Sequence, residues 1–204
     1  MEGTFAQWKR HLPEEKFGIH LFPEFEMRAK EVSSEVFRVK TAAETGGLIS
    51  TLIKTEHIRK AVVVDCPLQQ AGGIHDVLKA RGVEVYSEAA DIRFHAETAD
   101  IGISGVEFGV AECGSVFMDS FSAETRLVSS LPPMHIVFIK SGNIVTGIDD
   151  ALAIIAASFD HGYISFITGP SRTADIERVL AIGVHGPSRF VIIAVDEEAD
   201  GRGA

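Results

Sequence analysis

Two short segments of the chain combine residue types that could bind or transform a small acid. The first, residues 112–115, reads Glu-Cys-Gly-Ser and follows the apolar stretch 106–111, which we interpret as a buried strand. A lone carboxylate at the end of such a strand, followed by a Gly-Ser turn, favours an active-site corner; a solvated glutamate in a β-arch is the alternative. Glu112 is therefore the candidate catalytic residue, with Gly114 and Ser115 as candidate substrate-binding residues.

The second segment, residues 169–177, reads Gly-Pro-Ser-Arg-Thr-Ala-Asp-Ile-Glu and follows another apolar run. Arg172 could bind a carboxylate or phosphate through two parallel N–H groups. A helix predicted to begin near Thr173 would add free backbone amides beside Ser171. The two acidic residues of that first turn could instead hold Arg172 in a structural salt bridge, and both interpretations stay open.

Three further side chains are candidates for chemistry. His185 follows the end predicted for this helix at Gly183, where a histidine cation interacts favourably with the helix dipole. That structural role is the alternative to substrate binding or acid–base work. His135 opens an apolar strand and is expected to be a core residue. Cys113 is expected to be a small buried residue, because no histidine neighbours it in sequence to activate its thiol.

Composition excludes several classes of protein. With 19 Lys and Arg against 29 Asp and Glu, the formal net charge is −10, which argues against nucleic-acid binding. No apolar run approaches the roughly 20 residues that span a bilayer, and no signal peptide is visible. Cys66 and Cys113 lie far apart and form no zinc or iron–sulfur pattern, so we expect no metal and no cofactor. The simplest interpretation is a cytoplasmic protein.

Apolar patterns predict alternating strands and helices. Continuous apolar runs at 61–65 and 190–195 are typical of strands buried on both faces of a parallel sheet. A helix at 74–81, stopped by Gly82, and a strand at 83–86 continue a β-α-β-α-β order, which predicts α/β architecture with a mostly parallel sheet. Residues 1–22 carry aromatic and charged side chains and are interpreted as an N-terminal helical arm; residues 23–204 are interpreted as a single domain.

Four stretches together resemble the LUD-domain family, and the subgroup that they resemble is the lactate utilization protein C type. They are Val110–Ser115, Pro133–Val137, the GPSRTADIE run at 169–177 and the GVHGP run at 183–187. The resemblance covers about Pro23 to Val195. Position 113 departs from the family pattern, which usually has threonine in an Ala-Glu-Thr-Gly turn, so that a strong hydroxyl hydrogen bond is lost there.

The resemblance implies a three-layer α/β/α fold similar to the NagB/RpiA/CoA-transferase group. It also implies a role in oxidising L-lactate to pyruvate beside iron–sulfur partner subunits, with a small 2-hydroxy or 2-oxo acid as ligand. The chain would then be an accessory or substrate-binding subunit, and a homo-oligomer is possible. A stand-alone CoA-transferase or sugar-phosphate isomerase using Glu112 as nucleophile is one alternative. A pure interaction protein that docks through its aromatic arm is another.

The position of the two segments leads to a geometric prediction. In open α/β sheets, ligands bind beyond the carboxyl ends of the strands. We therefore predict that Glu112 and Arg172 meet as a buried pair at that edge and line one cleft with Ser115, Ser171 and His185. Three glycines in the segments, Gly105, Gly114 and Gly169, are predicted to leave room for a ligand.

Overall fold

The computed structural model of the protein describes residues 12–160, 162–174 and 180–196. The helices are α1 (Phe22–Glu31), α2 (Thr45–Glu56), α3 (Pro67–Ala71), α4 (Ile74–Ala80), α5 (Ala89–His95), α6 (Ala123–Ser130) and α7 (Ile148–Ser158). The strands are β1 (Glu35–Val39), β2 (Lys60–Val63), β3 (Glu84–Tyr86), β4 (Ile101–Gly105), β5 (Phe108–Val110), β6 (Ser115–Asp119), β7 (Met134–Lys140), β8 (Ile144–Val145), β9 (Ile164–Ile167), β10 (Arg172–Ala174), β11 (Leu180–Ile182) and β12 (Arg189–Val195).

The main sheet has six strands in the order β1-β12-β7-β4-β2-β3, and every neighbouring pair is parallel. All six strands therefore end at one edge, which we call the carboxyl edge, and begin at the other, the amino edge. The longest ladder pairs Met134 with Arg189 at its start and Lys140 with Val195 at its end. The predicted mostly parallel sheet is confirmed.

Both faces of this sheet are covered, which explains its uninterrupted apolar strands. On one face, apolar side chains of α2, α3 and α4 pack against alternate residues of the sheet. On the other face, α5 and α6 cover β2 and β4, and α1 covers β7 and β12 together with a second sheet. Gly102 lets α6 lie directly on β4, because a side chain there would overlap the Val128 carbonyl. The predicted arrangement of helices on both sides of the sheet is confirmed.

The second sheet was not anticipated from the sequence. Its four strands are ordered β8-β5-β6-β9, with β5 and β8 parallel and the other pairs antiparallel. One face supplies Val116 and Met118 to the core shared with α1. The other face, including Phe108 and Phe117, is covered by α7. This sheet carries the segment 112–115 between β5 and β6 and so positions Glu112.

The prediction of a helix beginning near Thr173 is wrong for the described residues. Arg172–Ala174 and Leu180–Ile182 form the antiparallel pair β10 and β11, and residues 175–179 lie outside the described part of the chain. His185 consequently follows a strand, not a helix, and its predicted interaction with a helix dipole is also wrong.

Side chains cap the start of α6 but not the turn before α2. The Ser122 hydroxyl accepts the N–H of Thr125 in the first turn of α6 at 3.0 Å. In the 3-10 turn Ala42–Glu44 the Thr41 side chain makes no capping bond, and Glu44 accepts the N–H of Lys40 at 3.1 Å.

The described part of the predicted arm packs on the second sheet. Gly18 donates its N–H to the carbonyl of Ile144 at 2.8 Å, and Thr146 donates to the carbonyl of Lys16 at 3.0 Å. Lys16 also forms an ion pair with Asp150 in α7 at 2.7 Å. Short 3-10 turns occupy Glu14–Lys16 and Ile19–Leu21, and residues 1–11 lie outside the described part.

Candidate functional site

The two segments singled out from the sequence do come together. The hydroxyl groups of Ser115 and Thr168, at the facing ends of β6 and β9, share a hydrogen bond of 2.6 Å. The Cys113 thiol donates to the same Ser115 oxygen at 3.1 Å. Convergence therefore arises from antiparallel pairing in the second sheet, and not from the carboxyl edge of the main sheet as predicted.

The glycines of these segments are filled by protein. Gly114 has φ +65°, and a side chain there would overlap the backbone of Ala29 in α1. Gly169 has φ +81°, and a side chain there would overlap the carbonyl of Val32. Gly105 packs against the Cys66 side chain in the same way. The prediction that these glycines leave room for a ligand is wrong, since each admits a neighbouring part of the fold.

Glu112 is exposed, and its carboxylate holds the start of α7. Its Oε2 accepts the N–H of Ile148 at 3.0 Å, while its own N–H donates to the Thr146 carbonyl at 3.0 Å. Gly147, the residue before α7, has no side chain of its own to cap the helix and lies directly against this carboxylate. Glu112 thus supplies from a distant segment the oxygen that a capping side chain normally provides.

Arg172 is also exposed and bonds elsewhere. Its Nη2 donates to the Ser33 hydroxyl, just after α1, at 2.6 Å. Within the described residues Arg172 and Glu112 form no ion pair, so the predicted buried pair is not observed. Thr173 pairs with Ala181 between β10 and β11.

His185 lines a cavity of about 400 Å³ at the amino edge. Its walls come from the end of α6, from the turn before β7 and from the GVHGP segment, with Ser130, Pro133 and Ser188 among them. Ser171 supports this segment: its N–H donates to Pro187 and its carbonyl accepts from Gly183. The structure therefore joins Ser171 to the His185 segment, while Glu112 is not among the residues that line this cavity.

At the carboxyl edge, polar side chains that sequence reasoning passed over lie close together. Glu107 follows β4; it accepts the N–H of Asp119 at 2.7 Å, and its carbonyl accepts from Asn143 Nδ2 at 3.2 Å. Cys66 follows β2, lies against Gly105, and donates its N–H to Gln69 Oε1 at 3.5 Å. One signal could have found Glu107: a carboxylate inside an apolar run, directly after a buried parallel strand.

Burial governs the charges at this edge. Removal from water raises the pKa of the Glu107 carboxyl to about 7, and the nearby negative charge of Asp119 adds to the shift. Burial likewise raises the pKa of the Cys66 thiol to about 11. Glu107 can therefore exchange a proton near neutral pH, whereas the Cys66 thiol stays protonated and is a poor nucleophile.

Two amides in this cluster are incompletely paired. Gln69 is fully buried and Asn143 is 3% exposed, yet Gln69 Nε2 and Asn143 Oδ1 have no hydrogen-bond partner among the described residues. Such atoms are uncommon in folded proteins, and Ser34 and His135, at the amino ends of β1 and β7, also carry one each.

His135 is the core residue expected from its apolar strand. It is completely buried in β7, and its Nε2 lies 2.9 Å from the Ser104 hydroxyl. Burial lowers its pKa to about 3, so the ring is neutral. Within the described residues, no group of three or more His, Cys, Asp or Glu side chains is placed to hold a metal ion. No described helix is both long and apolar enough to cross a membrane.

Comparison with known proteins gives a family match over most of the chain. A family model described as the LUD domain matches residues 22–195. A lactate utilization protein C from Halalkalibacterium halodurans is 33% identical over 156 residues, which cover 73% of this chain and 68% of that protein. One from Bacillus pumilus is 29% identical over 210 aligned positions, covering 94% and 86% of the two chains.

Other matches are shorter or more distant. A lactate utilization protein C from a Geobacillus species is 39% identical over 108 residues, and this match spans 45% of that protein. Among solved structures, a DUF162 family protein from Deinococcus radiodurans superposes with a TM-score of 0.60 at 20% identity, over 90% of this chain and 99% of that one. At this identity the structural likeness supports the fold alone.

Proposed function

Because the chain belongs to the LUD domain family, we propose that it takes part in lactate utilization, as an accessory subunit that binds a small 2-hydroxy or 2-oxo acid. The observation that carries this proposal is the match to several relatives named lactate utilization protein C, two of them over most of their length. The resemblance noted in the four sequence stretches agrees with the family match.

The cysteine content supports an accessory role. An iron–sulfur cluster is typically held by four cysteine thiolates, and this sequence contains only Cys66 and Cys113. Electrons released in oxidising a 2-hydroxy acid would then pass through partner subunits that carry clusters. The acidic net charge of −10 would favour a partner with a basic docking surface.

The amino-edge cavity is the proposed binding site for the acid. Its volume of about 400 Å³ lies within the usual range of ligand pockets. His185 can donate hydrogen bonds to a carboxylate, and Ser130 supplies a hydroxyl group on the opposite wall. Ser171 holds the His185 segment in place, and Arg172 and Thr173 extend from it along β10.

The alternative of an acyl-transferring enzyme based on Glu112 gains no support from the geometry. A nucleophilic glutamate needs a free carboxylate facing a substrate pocket. The Glu112 carboxylate instead accepts the N–H of Ile148 at the start of α7. We therefore assign Glu112, Gly114 and Ser115 to the architecture that joins the two segments.

Deletion of the gene in its own host tests the role. Growth on L-lactate as sole carbon source should be lost and growth on glucose retained, and the wild-type gene should restore growth on lactate. Unchanged growth on lactate would contradict the proposal.

Titration of the purified protein tests whether the amino-edge cavity binds the acid. Calorimetric titration with L-lactate and pyruvate should show binding that His185→Gln weakens at least tenfold. His20→Gln is the matched control, because His20 is exposed and its ring contacts only the Glu15 carbonyl among the described residues. Equal loss in both variants would contradict a role for His185.

A further inference from the structure

The amino-edge cavity is larger than L-lactate requires. Its volume of about 400 Å³ is usual for a drug-sized ligand. L-Lactate, whose only apolar part is a methyl group, fills a small fraction of such a volume. A ligand that fills the cavity therefore carries more atoms than L-lactate, and the side chains of the walls indicate which kind of atoms.

Two walls of the cavity each carry a polar and an apolar side chain at adjacent positions. At the end of α6 these are Ser130 and Leu131, and in the GVHGP segment they are His185 and Val184. Leu131 is 46% exposed and Val184 is 56% exposed, so both apolar side chains are accessible to a ligand. The walls are therefore suited to a molecule with one polar end and one apolar end.

The polar groups of the walls differ in their hydrogen bonds. Ser188 donates its hydroxyl hydrogen to the carbonyl of Pro133 at 3.0 Å, so this hydrogen is already used. In the described part of the chain, the Ser130 hydroxyl and the His185 ring form no hydrogen bond. These two groups are consequently the donors that remain available for a carboxylate.

The loop that carries Val184 and His185 is held at both of its ends. The N–H of Gly183 donates to the Ser171 carbonyl at 2.9 Å, and the N–H of Ser171 donates to the Pro187 carbonyl at 2.8 Å. Val184 and His185 lie between these two bonds and are neighbours in sequence. A ligand that contacts both side chains therefore needs its carboxylate and its apolar group joined by a short chain.

We infer that the amino-edge cavity prefers 2-hydroxy or 2-oxo acids in which an apolar chain of several carbons replaces the methyl group of lactate. The carboxylate would lie at His185 and Ser130, and the chain on Val184 and Leu131. The acid itself rests on the proposed function; the preference for a longer chain, and the two residues that determine it, go beyond that function.

The size of the preference follows from the burial of methylene groups. A fully buried methylene group strengthens binding about fourfold. Because Leu131 and Val184 are themselves about half exposed, we expect a chain lying on them to be only partly buried. Each added methylene group should then strengthen binding about twofold.

The experiment is calorimetric titration of the full chain with L-lactate, L-2-hydroxybutanoate and L-2-hydroxyhexanoate at two temperatures. L-2-Hydroxyhexanoate should bind about eightfold more tightly than L-lactate, with L-2-hydroxybutanoate between them. The heat-capacity change on binding should become more negative along the series, since this change is the signature of apolar burial.

Variants of the walls test where the chain lies. Val184→Thr keeps the shape of the side chain but replaces a methyl group with a hydroxyl group, and Leu131→Asn makes the other wall polar. In either variant the preference for L-2-hydroxyhexanoate should fall from about eightfold to about twofold. Leu152→Asn is the matched control, because Leu152 is 48% exposed but lies in α7, and it should keep the full preference.

Two further measurements separate this inference from the proposed function. His185→Gln should weaken all three acids by the same factor, because they share the carboxylate, and thermal unfolding shows that each variant is folded. Equal affinities for the three acids, or an unchanged preference in both wall variants, would overturn the inference and leave the proposed function standing. Absence of binding by every acid would overturn the proposed binding of an acid in this cavity, and the inference with it.

Discussion

The amino and carboxyl edges of the six-stranded sheet differ in how their charged groups are paired. At the amino edge, charges are paired and partly exposed: Arg189 bonds both oxygens of Glu35 at 2.8 and 2.9 Å and also reaches Glu56 at 2.8 Å. At the carboxyl edge, Glu107 is largely buried and forms no ion pair among the described residues. The ion pairs stabilise the amino edge, which also holds the cavity lined by His185, whereas a carboxyl group with a raised pKa is common at functional sites.

The residues that make the sequence distinctive are not the residues with unusual chemical surroundings. The segments around Gly114, Gly169 and Ser171 are distinctive because backbone must pass close to α1 or bond the neighbouring loop. The carboxyl-edge side chains stand in ordinary apolar surroundings and form no recognisable run. A strong signature can therefore mark a packing requirement, while the least satisfied polar groups lie elsewhere.

The largest loss of stability is expected where segment 112–115 packs against α1. Gly114→Ala should destabilise the protein by about 3 kcal/mol or more, because the new methyl group combines a left-handed backbone with overlap on Ala29. Gly82→Ala is the control: its φ is +76° but nothing lies within 4 Å of the added carbon, so only about 1–2 kcal/mol is lost. Equal losses by urea unfolding would show that the position next to α1 is not tightly packed.

Glu107 at the carboxyl edge should make the stability of the protein depend on pH. The pKa of Glu107 is raised to about 7 in the folded protein, against 4.5 for a free glutamate. The folded state therefore holds more protons between these values, and its stability falls as pH rises through them. Glu107→Gln removes that loss and should be on the order of 2 kcal/mol more stable than wild type at pH 8, with little difference at pH 4.5. Urea unfolding across this range would show parallel curves if Glu107 were solvated.

His135 should change the stability of the protein in the opposite direction to Glu107 when the pH is lowered. Its pKa is lowered to about 3 by burial, so the unfolded chain takes up a proton first as pH falls below 6.5. Acidification then destabilises the protein through His135 and stabilises it through Glu107, and the two effects partly cancel. In Glu107→Gln the compensation is gone, and stability should fall more steeply from pH 6.5 to 4.5 than in wild type. Identical slopes would mean that Glu107 is not buried as described, and no fall in the variant would mean that His135 is not.

Sequence patterns predicted the main sheet because its strands are buried on both faces. The runs at 61–65, 135–140 and 190–195 are apolar apart from Asp65, His135 and Lys140, and each coincides closely with an observed strand. The second sheet escaped prediction because its pairing is non-local: Gly109 in β5 pairs with Ile144 in β8. No local pattern encodes such a partner.

The errors at the candidate site have the same origin. The segment after Arg172 has acidic residues and apolar spacing that suit a helix, but β10 and β11 pair with each other and override that preference. Glu107 lies in the stretch 106–111, which the sequence predicts to be one strand, whereas the chain turns there between β4 and β5. Burial of a carboxylate at a strand end depends on tertiary packing, which the sequence does not display.

A smaller effect tests whether Glu112 is a cap or a nucleophile. Glu112→Ala should cost about 1 kcal/mol, the usual loss on removing a capping side chain, because the N–H of Ile148 loses its acceptor. Growth on lactate should persist. Lys54→Ala, an exposed substitution near the end of α2, controls for surface changes of no consequence. Loss of growth with unchanged stability would restore the catalytic interpretation of Glu112.

The smallest change in stability is expected at Arg172. Its variants test whether this residue helps to bind the acid or is only a surface residue. Arg172 is exposed and bonds the Ser33 hydroxyl, so Arg172→Ala should change stability by less than about 1 kcal/mol. If Arg172 contributes to binding the acid as predicted from the sequence, L-lactate affinity at pH 6 should nevertheless fall in Arg172→Ala and recover partly in Arg172→Lys, since either cation attracts a carboxylate. Unfolding and titration of both variants separate the outcomes: unchanged affinity with unchanged stability would leave Arg172 as a surface residue that takes no part in binding the acid.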